Sequence, residues 1–256
     1  MALIQNEIVT DNKLETKFPR TVIVDDLGKM DYRSAWDYQE KLFASLVDNK
    51  IKNREKPVNK QNIPDHYFLL CEHPPVFTLG KSGSMKNLLV NQDALNEKQI
   101  SFFKINRGGD ITFHGPGQIV GYPILDLDYF FTDIGKYLRL IEETIILTLA
   151  EYGLQGGRSK GETGVWLEPE SPSRARKICA IGVRSSRWIT MHGFAFNINT
   201  DLSYFDLIIP CGIQGKQVTS VQKELGRPID MNEVKEKIIN HFTQLFEAEI
   251  KPGKEN

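Results

Sequence analysis

Residues 107–118 read RGGDITFHGPGQ, and this stretch constrains the fold and the function more than any other part of the chain. Glycine at this density weakens helices and strands, so we predict a loop whose backbone turns sharply or approaches another group closely. A tight turn between strands at residues 101–106 and 119–127 is one interpretation, because turns use glycine and proline routinely. Arg107 and His114 favour the other interpretation, a loop that binds a ligand, because a turn needs neither side chain.

Helical and strand patterns alternate irregularly on both sides of this loop. Apolar residues at helical spacing predict helices over residues 32–48, 133–152 and 231–249. Short β-branched and apolar runs predict strands over residues 21–26, 66–71, 76–79, 163–167, 177–184 and 188–197. No boundary divides the chain, so we predict a single α+β domain over residues 21–250 behind a poorly ordered extension at residues 1–20. Charged segments with prolines, residues 50–64 and 169–176, predict exposed insertions.

Composition excludes several classes of protein. The chain has 256 residues and a net charge of -1, which gives no general case for binding nucleic acid. No apolar run approaches the ~18 residues that span a bilayer, and the N-terminus resembles neither a secretory signal nor a transit peptide. Three cysteines favour a reducing compartment, and we expect a cytoplasmic protein. The histidines lack metal-ligand spacing, and Pro75 stands where a phosphate loop beginning before Gly80-Lys81-Ser82 needs its first glycine, so we expect no metal and no cofactor.

Four segments in order carry a resemblance to one family. They are CEHPPVFTLGK (residues 71–81), RGGDITFHGPGQ followed by IVGYPILDL, KICAIGVRSSRWITMHGFAFN (residues 177–197) and IIPCGI (residues 208–213). Together they resemble the octanoyltransferases of lipoate biosynthesis. The resemblance implies a fold like the catalytic domain of biotin and lipoate protein ligases, with mixed sheets flanked by helices. It also implies transfer of an octanoyl group from octanoyl-acyl carrier protein to a lysine of an acceptor domain. The acceptors would be the lipoyl domains of 2-oxoacid dehydrogenases and the glycine-cleavage H protein.

Cys211 is the candidate nucleophile. Pro210 and Gly212 place its thiol on a turn, although a buried structural cysteine is an equal alternative from the local sequence alone. The resemblance implies that Cys211 accepts the acyl group and that Lys177 lowers its pKa, which is near ~8.5 for an ordinary thiol. A solvent-exposed lysine at a strand edge is the alternative for Lys177. Cys179, the rival nucleophile, lies among apolar residues and is interpreted as a packed side chain.

The same resemblance assigns the substrate-binding residues to three segments. They are Arg107, Gly108, Gly109, Asp110, Ile111, Thr112, Phe113 and His114; Ala180, Ile181 and Gly182; and Gly193, Phe194 and Ala195. Basic residues are concentrated between positions 158 and 187, where a docking surface for an acidic carrier protein is plausible.

Two alternatives to the transferase stay open. An ATP-dependent ligase of the lipoate or biotin type would share the fold, but it would need no loop thiol. A non-catalytic module that binds acylated carrier domains would need neither Cys211 nor Lys177.

Overall fold

A computed structural model describes residues 19–210 and 217–253. Cys211 and residues 1–18 lie outside the described residues, so the division into an extension at residues 1–20 and a domain at residues 21–250 stays a prediction. Arg20 is already tied to the domain, since its side chain donates to the backbone oxygens of Tyr129 and Phe246.

Most strands join one mixed sheet of nine strands. Its members are β1 (Thr21–Lys29), β2 (His66–Glu72), β6 (Gln118–Ile124), β7 (Gly156–Gly157), β8 (Val165–Leu167), β9 (Arg176–Ser186), β10 (Ile189–Asn197), β11 (Gln217–Val218) and β12 (Glu249–Pro252). Their order across the sheet is β12-β1-β2-β6-β10-β9-β8-β7, and β11 pairs with β9 outside this path. β1 runs parallel to both β2 and β12, and β11 runs parallel to β9, whereas the other neighbours are antiparallel. The predicted α+β class with mixed sheets is confirmed.

The described residues form five α-helices. They are α1 (Tyr32–Asn53), α2 (Gln92–Glu97), α3 (Ile134–Ala150), α4 (Val221–Leu225) and α5 (Met231–Phe246). The three long helices begin after an aspartate that accepts a hydrogen bond from a backbone N–H of the first turn; these caps are Asp31, Asp133 and Asp230. None of the helices in the described ranges is long and apolar enough to cross a membrane.

The alternation of side chains along the strands divides the core into two layers. Phe68 and Leu70 of β2 pack in the cluster that contains the apolar stripes of α3 and α5. Leu69 and Cys71 of the same strand pack in the cluster that contains α1. Both faces of β2 are therefore buried.

A second sheet corrects the predicted loop. It contains β3 (Val76–Leu79), β4 (Ser101–Lys104) and β5 (Ile111–His114), with β3 in the middle. β5 lies inside the glycine-rich stretch and pairs antiparallel with β3. The prediction of one continuous loop or turn over residues 107–118 was wrong, because a partner strand more than thirty residues earlier gives Ile111–His114 its ladder.

The predicted insertion at residues 50–64 also begins later than expected, because α1 continues to Asn53. The Asn53 side chain is buried and exchanges two hydrogen bonds with the backbone of Asn62, at 2.7 and 3.0 Å. This contact folds the insertion back onto the end of the helix.

Candidate active site

A cavity of about 470 Å³ lies between the glycine-rich stretch and strands β9 and β10. It brings together the three predicted substrate-binding segments and Lys177. Those that line it are Arg107, Gly108, Gly109, Asp110, Ile111, Thr112, His114, Ala180, Ile181, Gly182, Gly193, Phe194, Ala195 and Lys177. The cavity is large enough for a medium-length acyl chain, and its volume falls in the range of small-molecule sites.

Phe113 is the predicted residue that the structure places away from the cavity. Its ring is buried and stacks on Tyr204 with the centroids 4.5 Å apart, and it also packs on Phe77. Consecutive residues of a strand face opposite sides, so His114 faces the cavity while Phe113 packs in the core of the small sheet.

Arg107 is buried at one end of the cavity and is fixed by Thr78. Its guanidinium donates to the Thr78 backbone oxygen at 2.8 Å and to the Thr78 hydroxyl at 3.0 Å. A Cβ at Gly80 would collide with Gly109 O and come within 2.9 Å of Arg107 Nη1, and one at Gly182 would come within 3.0 Å of Arg107 Cδ. The glycines therefore let backbone pack directly against this arginine.

A second close approach between a glycine and neighbouring backbone occurs in the part of the cavity wall that β10 forms. A Cβ at Gly193 would collide with Gly121 O on the neighbouring strand. Gly193 and Gly182 are opposite each other in the β9–β10 ladder. Part of the cavity wall is thus bare backbone, which leaves room for a ligand close to the main chain.

Hydrogen bonds fix His114 as a neutral ring. Its Nδ1 lies 2.9 Å from Gln118 Oε1, and the Gln118 nitrogen donates to Asn197 Oδ1 at 2.9 Å, so Nδ1 carries the proton. Nε2 then accepts from the Thr78 hydroxyl at 3.3 Å. Burial, with the nearby charges of His73 and Arg107, holds the pKa of His114 well below its usual value. His114 therefore shapes the cavity wall as an uncharged ring with both nitrogens engaged.

His192 lies at the same end of the cavity in a left-handed conformation, with φ at 60°. The His192 backbone N–H donates to Gln39 Oε1 at 3.1 Å. Its Nε2 lies 2.9 Å from Asn106 Oδ1, while Nδ1 is buried without a partner among the described residues. Burial, with the charge of Arg107, lowers the pKa of His192 to about 3. In the sequence, His192 directly precedes the predicted substrate-binding segment that begins at Gly193.

Buried neutral histidines predict that acid destabilises this protein. Burial lowers the pKa of His66 to about 4, and that of His192 is about 3. Below about pH 6.5 the unfolded chain binds protons at both sites while the folded protein does not, so stability falls as the pH falls. From pH 7 to pH 5 we expect a loss of about 2 kcal/mol for each histidine. Urea unfolding of wild type and His66→Gln at pH 7, 6 and 5 measures this difference.

The His66→Gln variant should lose about 2 kcal/mol less than wild type between pH 7 and pH 5, whatever its stability at pH 7. Equal losses in the two proteins would show that His66 titrates normally in the folded state.

Lys177 lies at the other end of the cavity. Its ammonium is 4.7 Å from the centroid of the Trp166 ring and 3.5 Å from Thr163 O. β11 pairs Val218 with Lys177, and the Thr219 N–H donates to Lys177 O at 2.9 Å. The side chain is half-buried. These contacts oppose the alternative of a solvent-exposed lysine at a strand edge.

Glu142 holds in place the segment that contains Thr163 and Gly164, next to Lys177. This fully buried carboxylate on α3 accepts from Arg158 Nε at 2.9 Å and from the Gly164 N–H at 3.0 Å. Gly164 has φ at 124°, and a Cβ there would come within 2.6 Å of Cys179 O. The carboxylate thereby holds the chain that places Thr163 O near the Lys177 ammonium.

Replacing Glu142 by leucine should lower the free energy of unfolding by about 2 to 3 kcal/mol, because a buried N–H and the Arg158 guanidinium lose their acceptor. Glu142→Gln keeps an acceptor oxygen for Gly164 and should lose less. Urea unfolding of both variants tests this, and equal stability of the leucine variant and wild type would contradict it.

Two cysteines lie in the described residues, and both are fully buried. Burial raises the pKa of the Cys71 and Cys179 thiols. The interpretation of Cys179 as a packed side chain is confirmed, and Cys71 is packed in the core as well. Cys211 lies outside the described residues, but the chain enters and leaves the segment 211–216 through cavity-lining residues, Pro210 and Val218.

The expected basic surface is largely neutralised by ion pairs. Arg158 pairs with Glu142 and Glu143, Arg174 with Glu168, Arg176 with Glu168 and Glu224, and Arg184 with Glu40. Glu40, Glu142, Glu143 and Glu224 lie outside residues 158–187, so a count along the sequence could not include them. This region is less positive than the sequence indicates.

Several lining residues were not predicted from the sequence. Tyr32 of α1, Leu138 of α3 and Phe205 come from elements outside the quoted motifs, whereas Tyr122 of β6 and Asn197 of β10 stand inside quoted motifs without having been assigned a role. Gln118 was visible as the last residue of RGGDITFHGPGQ. Within the described parts of the chain, no cluster of three His, Cys, Asp or Glu side chains is arranged to hold a metal ion.

The fold resembles that of lipoate protein ligases. A bipartite lipoate protein ligase from Thermoplasma acidophilum matches with a TM-score of 0.64 at 14% identity, over 93% of this chain and 87% of that one. A lipoate-protein ligase A bound with ATP matches with a TM-score of 0.65 at 13% identity, over 93% and 90%. At these identities the likeness concerns the fold.

The chain belongs to the family described as the lipoyl protein ligase A/B catalytic domain, whose model matches residues 31–243. An octanoyltransferase of Flavobacterium johnsoniae is 63% identical over 232 residues, which are 90% of this chain and 99% of the relative. An octanoyltransferase of Christiangramia forsetii is 62% identical over 234 residues, 91% of this chain and 98% of the relative. The resemblance to octanoyltransferases is confirmed.

Proposed function

We propose that this protein is an octanoyltransferase of lipoate biosynthesis that works through a cysteine thioester. The observation that carries the proposal is the cavity itself, which unites Lys177, the glycine-rich stretch and strands β9 and β10 with both flanks of the Cys211 segment. The high identity to octanoyltransferases supports the choice of octanoyl as the acyl group.

In the first half-reaction, the Cys211 thiolate attacks the thioester carbonyl of octanoyl-acyl carrier protein. A new carbon–sulfur bond forms, the bond to the carrier sulfur breaks, and the carrier leaves as a thiolate that takes up a proton from solvent. In the second half-reaction, the amine of an acceptor lysine on a lipoyl domain attacks the acyl-enzyme. A carbon–nitrogen bond forms, the bond to the Cys211 sulfur breaks and returns the thiolate, and the proton lost by the amine nitrogen passes to solvent, which balances the proton that the carrier took up. Lys177 stabilises the thiolate in both steps.

The apolar part of the cavity suits the acyl chain. Ala180, Ile181 and Val183 line it from β9, and Leu138 lines it from α3. Thioester-to-amide transfer is downhill, so this mechanism needs no nucleotide and no metal. We propose octanoyl-acyl carrier protein as donor, and lipoyl domains of 2-oxoacid dehydrogenases and the glycine-cleavage H protein as acceptors.

The experiment that tests the proposal separates a transferase from a ligase of the same fold. Octanoyl-acyl carrier protein and a lipoyl domain are incubated with the protein in EDTA without ATP, and the acceptor mass is measured. We expect an octanoyl amide on the acceptor, and an octanoyl adduct on the protein when the acceptor is omitted. Octanoylation only from free octanoate with ATP and Mg²⁺ would make the protein a ligase. Binding of the carrier without any acyl transfer would make it a non-catalytic module.

A further inference from the structure

Asp110 lines the cavity, but its polar contacts are made with the segment behind it. Oδ1 accepts from the Ile111 N–H at 2.7 Å and from the Ser84 N–H at 3.3 Å, and Oδ2 accepts from Asn87 Nδ2 at 2.5 Å. A Cβ at Gly83 would come within 2.7 Å of Oδ1, so the chain closes tightly around the carboxylate. These contacts tie the glycine-rich stretch to the turn of 3-10 helix at Met85–Asn87.

The backbone of Asn87 is also hydrogen-bonded to the chain that precedes Cys211 in the sequence. The Ile209 N–H donates to Asn87 O at 2.8 Å, and the Leu89 N–H donates to Leu207 O at 2.9 Å. An antiparallel bridge joins Leu88 to Ile208, which is buried. Residues 87–89 and 207–209 thus form a short ladder whose last hydrogen bond lies two residues before Cys211.

We infer that Asp110 and Asn87 are positioning residues for the nucleophile, an inference that rests on the proposed function of Cys211. Ile209 stands two residues before Cys211 in the sequence, so the ladder anchors the chain that leads into the nucleophile. A Cys211 held at attack distance gains rate from orientation, and a displacement of about 1 Å can cost about 100-fold. The Asp110–Asn87 pair is therefore expected to act on the rate of acylation.

The hydrogen bond between Asp110 and Asn87 can be tested by exchanging the two side chains. In wild type, a carboxylate at position 110 accepts from an amide at position 87. Asn87→Asp places two carboxylates face to face and should force the ladder away. Adding Asp110→Asn restores a donor and an acceptor in exchanged positions, while the remaining amide oxygen can still accept from the Ser84 and Ile111 N–H groups. Asp110→Asn alone keeps the pairing when the Asn87 amide rotates to present its oxygen, but it also changes a residue that lines the cavity, so its own loss of rate is measured within the cycle.

The test is a double-mutant cycle read by single-turnover acylation of the protein with octanoyl-acyl carrier protein. N87D should acylate about 10- to 100-fold more slowly, with the donor concentration for half-maximal rate nearly unchanged. N87D/D110N should acylate at least about 5-fold faster than N87D, and D110N alone supplies the remaining corner of the cycle. Asn96→Asp is the matched control, because it makes the same chemical change at an exposed residue of α2.

Thermal unfolding of every variant accompanies the kinetics, and Asn87→Ala removes the donor without adding charge in case N87D fails to fold. We expect Asn87→Ala to acylate about 10-fold more slowly. A folded N87D or Asn87→Ala that acylates like wild type would overturn the inference, as would a folded double variant as slow as N87D. Wild type that forms no acyl adduct at all would instead refute the proposed function.

Discussion

Cys211→Ser should lower the rate of octanoyl transfer by at least about 10³-fold, the scale on which removal of a nucleophile acts in enzymes. A serine in this place keeps its proton at neutral pH, whereas a thiol with a lowered pKa is ionised and attacks the thioester. The rate is measured as octanoylation of a lipoyl domain, and the adduct is measured as the intact mass of the protein. Wild type should gain one octanoyl mass and the serine variant none under the same conditions.

Cys179→Ala is the matched control. Cys179 is fully buried and packs in the core cluster that contains α3 and α5, so its loss should leave most of the transfer rate intact. Peptide mapping of the acylated protein decides between the two thiols. An octanoyl group on the peptide that contains Cys179 would overturn the assignment of Cys211.

Lys177→Met should raise the pH at which Cys211 reacts with iodoacetamide by about two units. Two pKa units correspond to about 2.7 kcal/mol of differential interaction, which an ammonium ~4 Å away can supply at an intermediate effective dielectric. The thiolate fraction at neutral pH should then fall by up to about 100-fold, and the acylation rate with it. The measurement is the rate of alkylation between pH 5 and pH 10 in wild type and variant.

Lys160→Met removes the same charge from an exposed lysine in the segment that leads to Thr163, so it controls for a general change of potential. Its alkylation profile should stay close to that of wild type, because exposed charges are screened. If Lys177→Met and wild type share one pH profile, Lys177 has no part in activating the thiol.

Local pattern was sufficient to predict the elements whose apolar residues repeat regularly. The helices α3 and α5 and the strands β9 and β10 fall where periodicity placed them, to within a few residues. β5 was missed because its four residues stand among glycines, and only pairing with β3 makes them a strand. Periodicity reports the local environment, whereas a short strand depends on a partner that the local sequence does not contain.

The residues of the candidate site likewise fall into those that the motifs predicted and those that they could not predict. Motif resemblance selected the segments that line the cavity, but it could not tell that Phe113 turns into the core while His114 faces the ligand space. Thr78, which fixes both Arg107 and His114, carries no signal of its own in the sequence. The carboxylates that neutralise the basic residues were equally hidden, since Glu40 reaches Arg184 from α1.

The bare backbone at Gly182 and Gly193 bears on how acyl-chain preference can drift during evolution. A glycine has no side chain that could be shortened to enlarge the cavity, and a methyl group added at Gly193 would collide with Gly121 O. Lineages that come to favour longer or shorter acyl groups are therefore expected to change Leu138, Ile181 or Phe205, whose side chains line the rest of the cavity. The glycines would persist through such a change, so comparing related sequences at these positions separates inherited architecture from adaptation to a new substrate.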